Sequence, residues 1–132
     1  MADIYKMDSD YLSAESVYDR TIGASQSTIN GHLIWKYFSG VLGTGSINIS
    51  NLSYNELFVQ VDVGETGNKA FFTIPNVVLS STSVYLREGG YNGTSAYQNV
   101  IIEVSSSAIK LIQAYLNGQT YTNSSRILVY YR

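Results

Sequence analysis

The sequence predicts an all-β protein, an antiparallel β-sandwich of jelly-roll-like type preceded by a short N-terminal arm. Short apolar runs rich in Ile, Val, Leu and Tyr recur at roughly ten-residue spacing, separated by Gly-, Ser- and Asn-containing breaks. Beyond one or two turns around residues 10–19, no stretch has the apolar period of a helix. At 132 residues, the chain is long enough to form one domain with a core of its own.

Composition excludes several functional classes. The chain has no cysteine, which rules out disulfides, thiolate catalysis and cysteine-based zinc sites. Its net charge of −2 lacks the basic excess typical of nucleic-acid binding. The N-terminal segment has no apolar core of a signal peptide and no run of membrane-spanning length. We therefore expect no cleaved signal peptide, no membrane insertion and no nucleic-acid partner.

Residues 1–32 differ from the rest of the chain. They carry more acidic than basic side chains, their apolar positions are scattered, and Thr21–Gly31 is polar and loop-like. We interpret residues 1–32 as an arm that attaches to a neighbouring subunit or a larger assembly, with a frayed tail as the alternative.

The sandwich is predicted to occupy residues 33–132. Leu33–Phe38 is its first predicted strand and contains Trp35, for which core packing is favoured over a binding role shared with Tyr37. Gly40–Gly45 is a glycine-rich joint leading to a short strand over Ser46–Ser50.

The clearest half-buried strand is Glu56–Val63. Its Leu and Val residues alternate with other side chains, and Gly64–Asn68 forms a turn to a hairpin partner at Lys69–Ile74. Pro75 bars continuation as a central strand, because proline lacks the N–H that a ladder needs.

The remaining strands end in a C-terminal meander. Two short strands are predicted at Val77–Leu79 and Val84–Leu86, and Glu88–Ser95 is predicted to be a long loop. Three apolar runs follow it and organise the rest of the sheet: Tyr97–Val104, Ala108–Leu116 and Arg126–Tyr131.

Two of these last strands are apolar on both faces. In Tyr97–Val104, Ile101 lies opposite the face formed by its Val and Ile neighbours, and in Arg126–Tyr131 the same holds for Leu128 and Tyr130. Since a small domain has one core, we predict that a second copy of the chain covers Ile101, Leu128 and Tyr130 in an oligomer interface.

A ligand site is predicted around the Glu88–Ser95 loop. Sugars are bound by aromatic faces that stack on their C–H patches, together with amide and charged groups for the hydroxyls. Side chains of both kinds cluster here: Tyr85, Arg87, Tyr91, Asn92 and Tyr97.

No pattern of residues indicates catalysis or a cofactor. His32 is the sole histidine, and no G-x-S-x-G motif accompanies it. Glu88 and Glu103 would have to converge to form a glycosidase pair, which the sequence does not indicate. Asp62, Glu65 and Asn68 could hold calcium, but a solvated hairpin tip is the favoured interpretation. We expect no catalytic residue, no metal site and no cofactor.

A resemblance gives these features a functional context. The segments GGYNGTSAYQNV, VIIEVSSSAIKLI, the Asn117-Gly118 turn and the ending RILVYYR resemble the terminal β-sandwich modules of bacteriophage tail-fibre and other receptor-binding or decorating proteins, from phages of Gram-positive hosts. The resemblance covers residues 33–132. It implies a homotrimeric virion component, assembled in the host cytoplasm, whose residues 1–32 contact other virion proteins and whose distal loops meet host-surface glycan. Fibres usually have long shafts, so a head-decoration or baseplate component is a further option.

Three hypotheses follow. The first is a non-enzymatic phage structural protein that oligomerises and binds host-surface glycan or another virion protein. The alternative is a bacterial carbohydrate-binding module or lectin. A small glycan-active or peptide-cleaving enzyme, the third, would require the convergent carboxylate pair or His32 in a cleft.

Overall fold

The structure, a computed structural model, describes residues 18–19, 24–25, 34–76, 79, 82–92 and 96–132. The chain divides into two compact units. One comprises residues 1–35 with Arg132, and the other is Lys36–Tyr131. The predicted arm, residues 1–32, lies almost wholly outside the described residues. Within the first unit, β1 (Tyr18–Asp19) pairs with β2 (Ala24–Ser25) in a minimal antiparallel ladder.

The second unit is an all-β sandwich of two antiparallel sheets, as predicted. The first sheet has four strands in the order β3-β11-β5-β6. Its strands are β3 (Lys36–Leu42), β5 (Glu56–Val63), β6 (Asn68–Pro75) and β11 (Arg126–Tyr131). The C-terminal strand β11 therefore lies between β3 and β5.

The second sheet has five strands in the order β10-β9-β8-β7, with β4 also paired to β9. Its strands are β4 (Ser46–Asn48), β7 (Val84–Asn92), β8 (Ala96–Val104), β9 (Ala108–Leu116) and β10 (Gln119–Thr120). A short 3₁₀ turn at Thr122–Ser124 leads from β10 into β11.

One hydrophobic core fills the space between the sheets. Alternate residues of β5 are fully buried because every second side chain of a strand points to the same face. The second sheet contributes the facing residues. The core includes Leu57, Val59, Val61, Val63, Phe72, Ile74, Val100, Ile102, Val104, Ile109, Leu111, Ile127 and Val129.

Three local features of the second sheet depart from a regular ladder or stabilise the end of one. The register between β8 and β9 shifts at Ile101/Ile102, so that Ile112 and Gln113 are both only partly buried before Ala114 returns to the core. The hydroxyl of Thr122 accepts a hydrogen bond of 3.0 Å from the Ala114 N–H, which satisfies that buried backbone group. At the end of β9, Asn117 and Gly118 have φ angles of 51° and 86°, as a type I′ turn to β10 requires.

The predicted bounds of β5, β9 and β11 are confirmed, whereas the predicted Glu88–Ser95 loop is wrong over Glu88–Asn92; residues 93–95 lie outside the described residues. Strand β7 continues through Glu88 to Asn92. Gly89 lies directly across from Asn99, and a Cβ at Gly89 would come within 1.9 Å of the Gln98 carbonyl oxygen. The glycine therefore permits close strand pairing here instead of forming a loop.

The first strand of the sandwich also differs from the prediction. It runs from Lys36 to Leu42 and includes Gly40, which the sequence places in a glycine-rich joint. Trp35 precedes the strand and is not a core residue; the Arg132 guanidinium carbon lies 4.3 Å from its ring centroid, a cation–π contact within the first unit. Strand β6 ends at Pro75, as predicted, and part of the predicted strand Val77–Leu79 lies outside the described residues.

Candidate binding surfaces

The outer face of the first sheet carries an aromatic band, defined as Tyr37, Tyr130, Phe58 and Phe71. Each of the four strands contributes one ring. Ring centroids are 5.6 Å apart between Tyr37 and Tyr130, 6.0 Å between Tyr130 and Phe58, and 5.7 Å between Phe58 and Phe71. The band is thus a continuous row of ring contacts across the sheet.

The band remains accessible in the single chain. Tyr37 is 60% and Phe71 is 50% exposed, whereas Phe58 and Tyr130 are half-buried between them. Beside the band, Leu128 fills the space over Gly40, where a Cβ would come within 2.7 Å of the leucine Cδ2 atom. The face therefore offers a compact apolar surface.

One end of this face carries charges in alternating order. Across the strands lie Arg126, Asp62 and Lys69, with Asp62 opposite both basic residues. The Lys69 Nζ is 2.5 Å from Asp62 Oδ1, and the Gln60 side-chain amide donates a 2.7 Å hydrogen bond to the same oxygen. Each charge thus has an opposite neighbour.

The same contacts determine the ionisation of Asp62. Partial burial acts to raise its pKa, but the hydrogen bonds from Lys69 and Gln60, together with the positive charges of Lys69 and Arg126, outweigh this effect and hold the pKa below its ordinary value. Asp62 is therefore a carboxylate whose Oδ1 already binds two side chains of its own chain. Asn68 bonds to Thr66. Among the described residues, no group of three or more His, Asp or Glu side chains could hold a metal ion.

The outer face of the second sheet holds most of the predicted ligand residues. Tyr85 (59% exposed) and Arg87 alternate along β7, and Tyr97 on the adjacent β8 is 37% exposed. By register, Tyr91 lies directly opposite Tyr97. Asn92 lies opposite Ala96, at the last register position of the same hairpin.

The predicted interface residue Ile101 lies on this same outer face but is only 7% exposed in the single chain. It is flanked across the ladders by Arg87 and Gln113. Leu128 and Tyr130, the other predicted interface residues, belong to the first sheet and retain partial exposure. The three residues therefore do not form one patch, and Ile101 has little surface left for a second copy to cover.

The two edges of the first sheet differ. On the β6 side, the Phe71 N–H donates a hydrogen bond to the Glu88 carboxylate, and the Gln98 side-chain amide donates a 3.2 Å bond to the Lys69 carbonyl. On the β3 side, within the described part of the chain, the strand has β11 as its hydrogen-bonded neighbour and none on the other side. The sheet has one edge covered by side chains and one open edge.

An end groove of about 590 Å³ lies where β3, β5 and β11 approach the turns. Its walls include Leu42, Asp62, Glu65, Tyr121 and Arg126. Buried Ser125 fixes this end, because its hydroxyl accepts a 3.0 Å hydrogen bond from the Gly64 N–H and donates one of 2.7 Å to the Tyr121 carbonyl. No charged group in the groove is deeply buried.

The carboxylates required by the enzyme hypothesis do not converge. Glu88 alternates with Arg87 on β7 and reaches the edge of β6, whereas Glu103 lies across from Tyr85 and Lys110 on the outer face. His32 lies outside the described residues. The described segments also contain no helix of sufficient length and apolar character to span a membrane.

Phe58 and Phe71 are not among the surface residues that the sequence analysis singled out. A signal was present: each of the first sheet's strands places an aromatic residue at a position that alternation assigns to the outer face. Comparisons with protein-family models, with curated proteins and with solved structures each found no match for this chain.

Proposed function

We propose that the chain is a non-enzymatic phage virion structural protein that forms a homo-oligomer and binds host-surface glycan or another virion protein. The aromatic band, with Leu128 beside it, is the observation that carries the protein-contact part of this proposal. Exposed rings in contact across a whole sheet are typical of an interaction surface, because isolated apolar residues are common on monomers but contiguous patches are not.

The electrostatics of the same face support a contact with another chain. The charged groups at its end are Arg126, Asp62 and Lys69, with Lys69 paired to Asp62, so that an approaching surface meets a net charge of about +1 there. A polar rim around an apolar centre is the usual anatomy of a protein interface.

The virion assignment rests on the resemblance of residues 33–132 to phage β-sandwich modules. That resemblance also implies a homotrimer that is located in the virion. It further implies that residues 1–32 attach the protein to other virion proteins.

The proposal is tested by the solution mass of the full chain, measured by light scattering after size exclusion, and by its retention on purified Gram-positive cell walls or phage particles lacking the protein. We expect an oligomer whose mass falls on Leu128→Lys, because a charge would enter an apolar contact. Ser106→Lys, in the exposed turn between β8 and β9 of the other sheet, is the control. A monomer that binds neither particles nor cell walls would contradict the proposal.

A carbohydrate-binding module or lectin is the second candidate, favoured by the shared outer face of Tyr85, Arg87 and Tyr97. An exposed aromatic ring beside a guanidinium, as at Tyr85 and Arg87, provides stacking and hydrogen bonding for a sugar, and Tyr97 offers a second ring further along the same face. Glycan-array binding that is lost in both Tyr85→Ala and Tyr97→Ala but kept in Tyr37→Ala, on the other sheet, would support it. Equal binding by all three variants would exclude this face.

A further inference from the structure

We infer that the open edge of β3 is a self-pairing site. The β3 strand of a second copy adds to it in antiparallel orientation about a two-fold axis, and the two first sheets become one continuous sheet. This inference rests on the proposed homo-oligomer and adds a joint at the sheet edge, separate from the contact that the aromatic band and Leu128 make with another chain. It departs from the trimer of the resemblance, because a two-fold joint closes with two copies.

The first argument is the contrast between the edges. An unpaired strand edge presents a row of N–H and C=O groups that readily pair with another chain, and proteins usually protect such edges. Glu88 and Gln98 protect β6. The β3 edge has seven residues, Lys36–Leu42, no proline, and no hydrogen-bonded neighbour beyond β11 in the described part of the chain.

The second argument concerns the backbone. Every strand pair in the sandwich is antiparallel, so an antiparallel addition keeps the orientation already present. The β3 ladder is interrupted once, where Val129 pairs with Ser39 and Tyr130 with Tyr37, and this shift places both Tyr37 and Leu42 on the outer face. A two-fold axis relates the edge to itself, so the outward N–H groups of each β3 strand meet outward carbonyl groups of the other. No other sequence is required to supply the complementary donors and acceptors.

The third argument concerns the side chains. Tyr37 and Leu42 are 60% and 57% exposed, both on the outer face, near opposite ends of β3. Antiparallel pairing brings Tyr37 of one copy close to Leu42 of the other, twice per joint. Two apolar side chains that are exposed in the single chain are thereby covered in pairs.

The fourth argument concerns charge. Lys36 is the one ionisable side chain of strand β3 other than the tyrosine phenol. In the antiparallel pairing the two Lys36 residues lie at opposite ends of the joint, roughly 20 Å apart at about 3.4 Å per residue. Screening over that distance leaves little repulsion. Tyr37 also begins the aromatic band, so the bands of the two copies meet at the joint.

A charge exchange in the full chain tests the pairing. Tyr37→Glu and Leu42→Lys each place a charge in the joint, and each is expected to raise the dimer dissociation constant at least about tenfold. The combination Tyr37→Glu with Leu42→Lys restores the dimer, because the introduced carboxylate of one copy meets the introduced ammonium of the other. Within one chain the two positions are roughly 17 Å apart, too far for an internal ion pair. Ser106→Glu, in the exposed turn between β8 and β9, is the control and leaves the mass unchanged.

A measurement on the unaltered chain covers the case in which a variant fails to fold. Amide hydrogen exchange is compared at low and high protein concentration, and protection is expected to increase selectively within Lys36–Leu42. A trimer, or a dimer unaffected by either substitution and without added β3 protection, would overturn the pairing and leave the proposed oligomer standing. A monomer at every concentration would overturn both.

Discussion

Both edge strands of the first sheet have backbone N–H and C=O groups that point away from the sheet, and the two edges differ in whether these groups are bonded. At β6, the Phe71 N–H and the Lys69 carbonyl are bonded by side chains that reach over from β7 and β8 of the other sheet. At β3, the outward backbone groups have no such partner in the described part of the chain. A sheet with one covered edge and one open edge can be extended by another strand only at the open edge. Four predictions test this difference between the two sides of the molecule.

The largest effect is expected at Gly89, on the closed side. Gly89→Ala places a Cβ against the Gln98 carbonyl, a backbone atom that cannot rotate away, so that β7 must separate from β8. We expect a loss of about 2–4 kcal/mol in the free energy of unfolding, measured by urea denaturation. Gly90→Ala is the control, since a Cβ there has no atom within 4 Å. Equal effects of the two changes would contradict this account.

Opening the closed edge should have the next largest effect. Glu88→Ala removes the acceptor of the Phe71 N–H, and we expect a loss of about 1–2 kcal/mol and faster exchange of that amide. Newly unpaired backbone should also increase aggregation. Glu65→Ala, in the exposed turn after β5, controls for loss of a carboxylate. An unchanged Phe71 exchange rate would show that the carboxylate does not protect the edge.

How much of this contrast could be read from the sequence depends on the residue. Alternation of small apolar residues predicts β5 within its observed bounds, because a half-buried strand repeats every second residue. Glycine is a misleading loop signal at two positions. Gly89 and Gly40 lie inside strands, where a Cβ would collide with the Gln98 carbonyl or the Leu128 side chain. Such collisions depend on neighbouring strands, which are distant in sequence.

The binding surfaces show the same division. The sequence predicts Tyr85, Arg87 and Tyr97 as a cluster; the hairpin places them on one outer face, but Tyr85 lies opposite Glu103, far along β8 from Tyr97. The aromatic band draws on four separate strands, and its assembly depends on β11 entering between β3 and β5. A strand order of that kind leaves no local signal, and neither does the difference between a covered and an open edge.

On the open side, the ring contacts in the aromatic band should make a measurable contribution to the free energy of unfolding. Tyr130→Leu removes contacts with both Tyr37 and Phe58, and we expect a loss of about 1 kcal/mol. A double-mutant cycle with Tyr37→Leu should give a coupling free energy of about 0.5–1 kcal/mol. Tyr85→Leu, exposed on the other sheet, is the control. Strict additivity of the Tyr37 and Tyr130 changes would mean that the band is only a row of independent side chains.

The smallest effect is a pH dependence at Asp62, beside the closed edge. Its folded pKa is below the ordinary value of 3.8, so its ion pair contributes stability above that pH, and the contribution is lost as the pH falls through the folded pKa. The pair is partly exposed, and we expect less than about 1 kcal/mol. Asp62→Asn should reduce the dependence of the free energy of unfolding on pH in the acidic range. If that dependence is unaltered, it arises from other carboxylates.

The central position of β11 has a consequence for how the molecule folds. Strands β3 and β5 do not pair with each other; both pair with a strand separated from β3 by most of the chain. During synthesis, the β5–β6 hairpin and the neighbouring hairpins of β7, β8 and β9 can form early, while the first sheet cannot take in β3 until β11 has left the ribosome. Until then, β3 has two unpaired edges. We therefore expect the nascent chain to be most prone to aggregation just before its last strand is released.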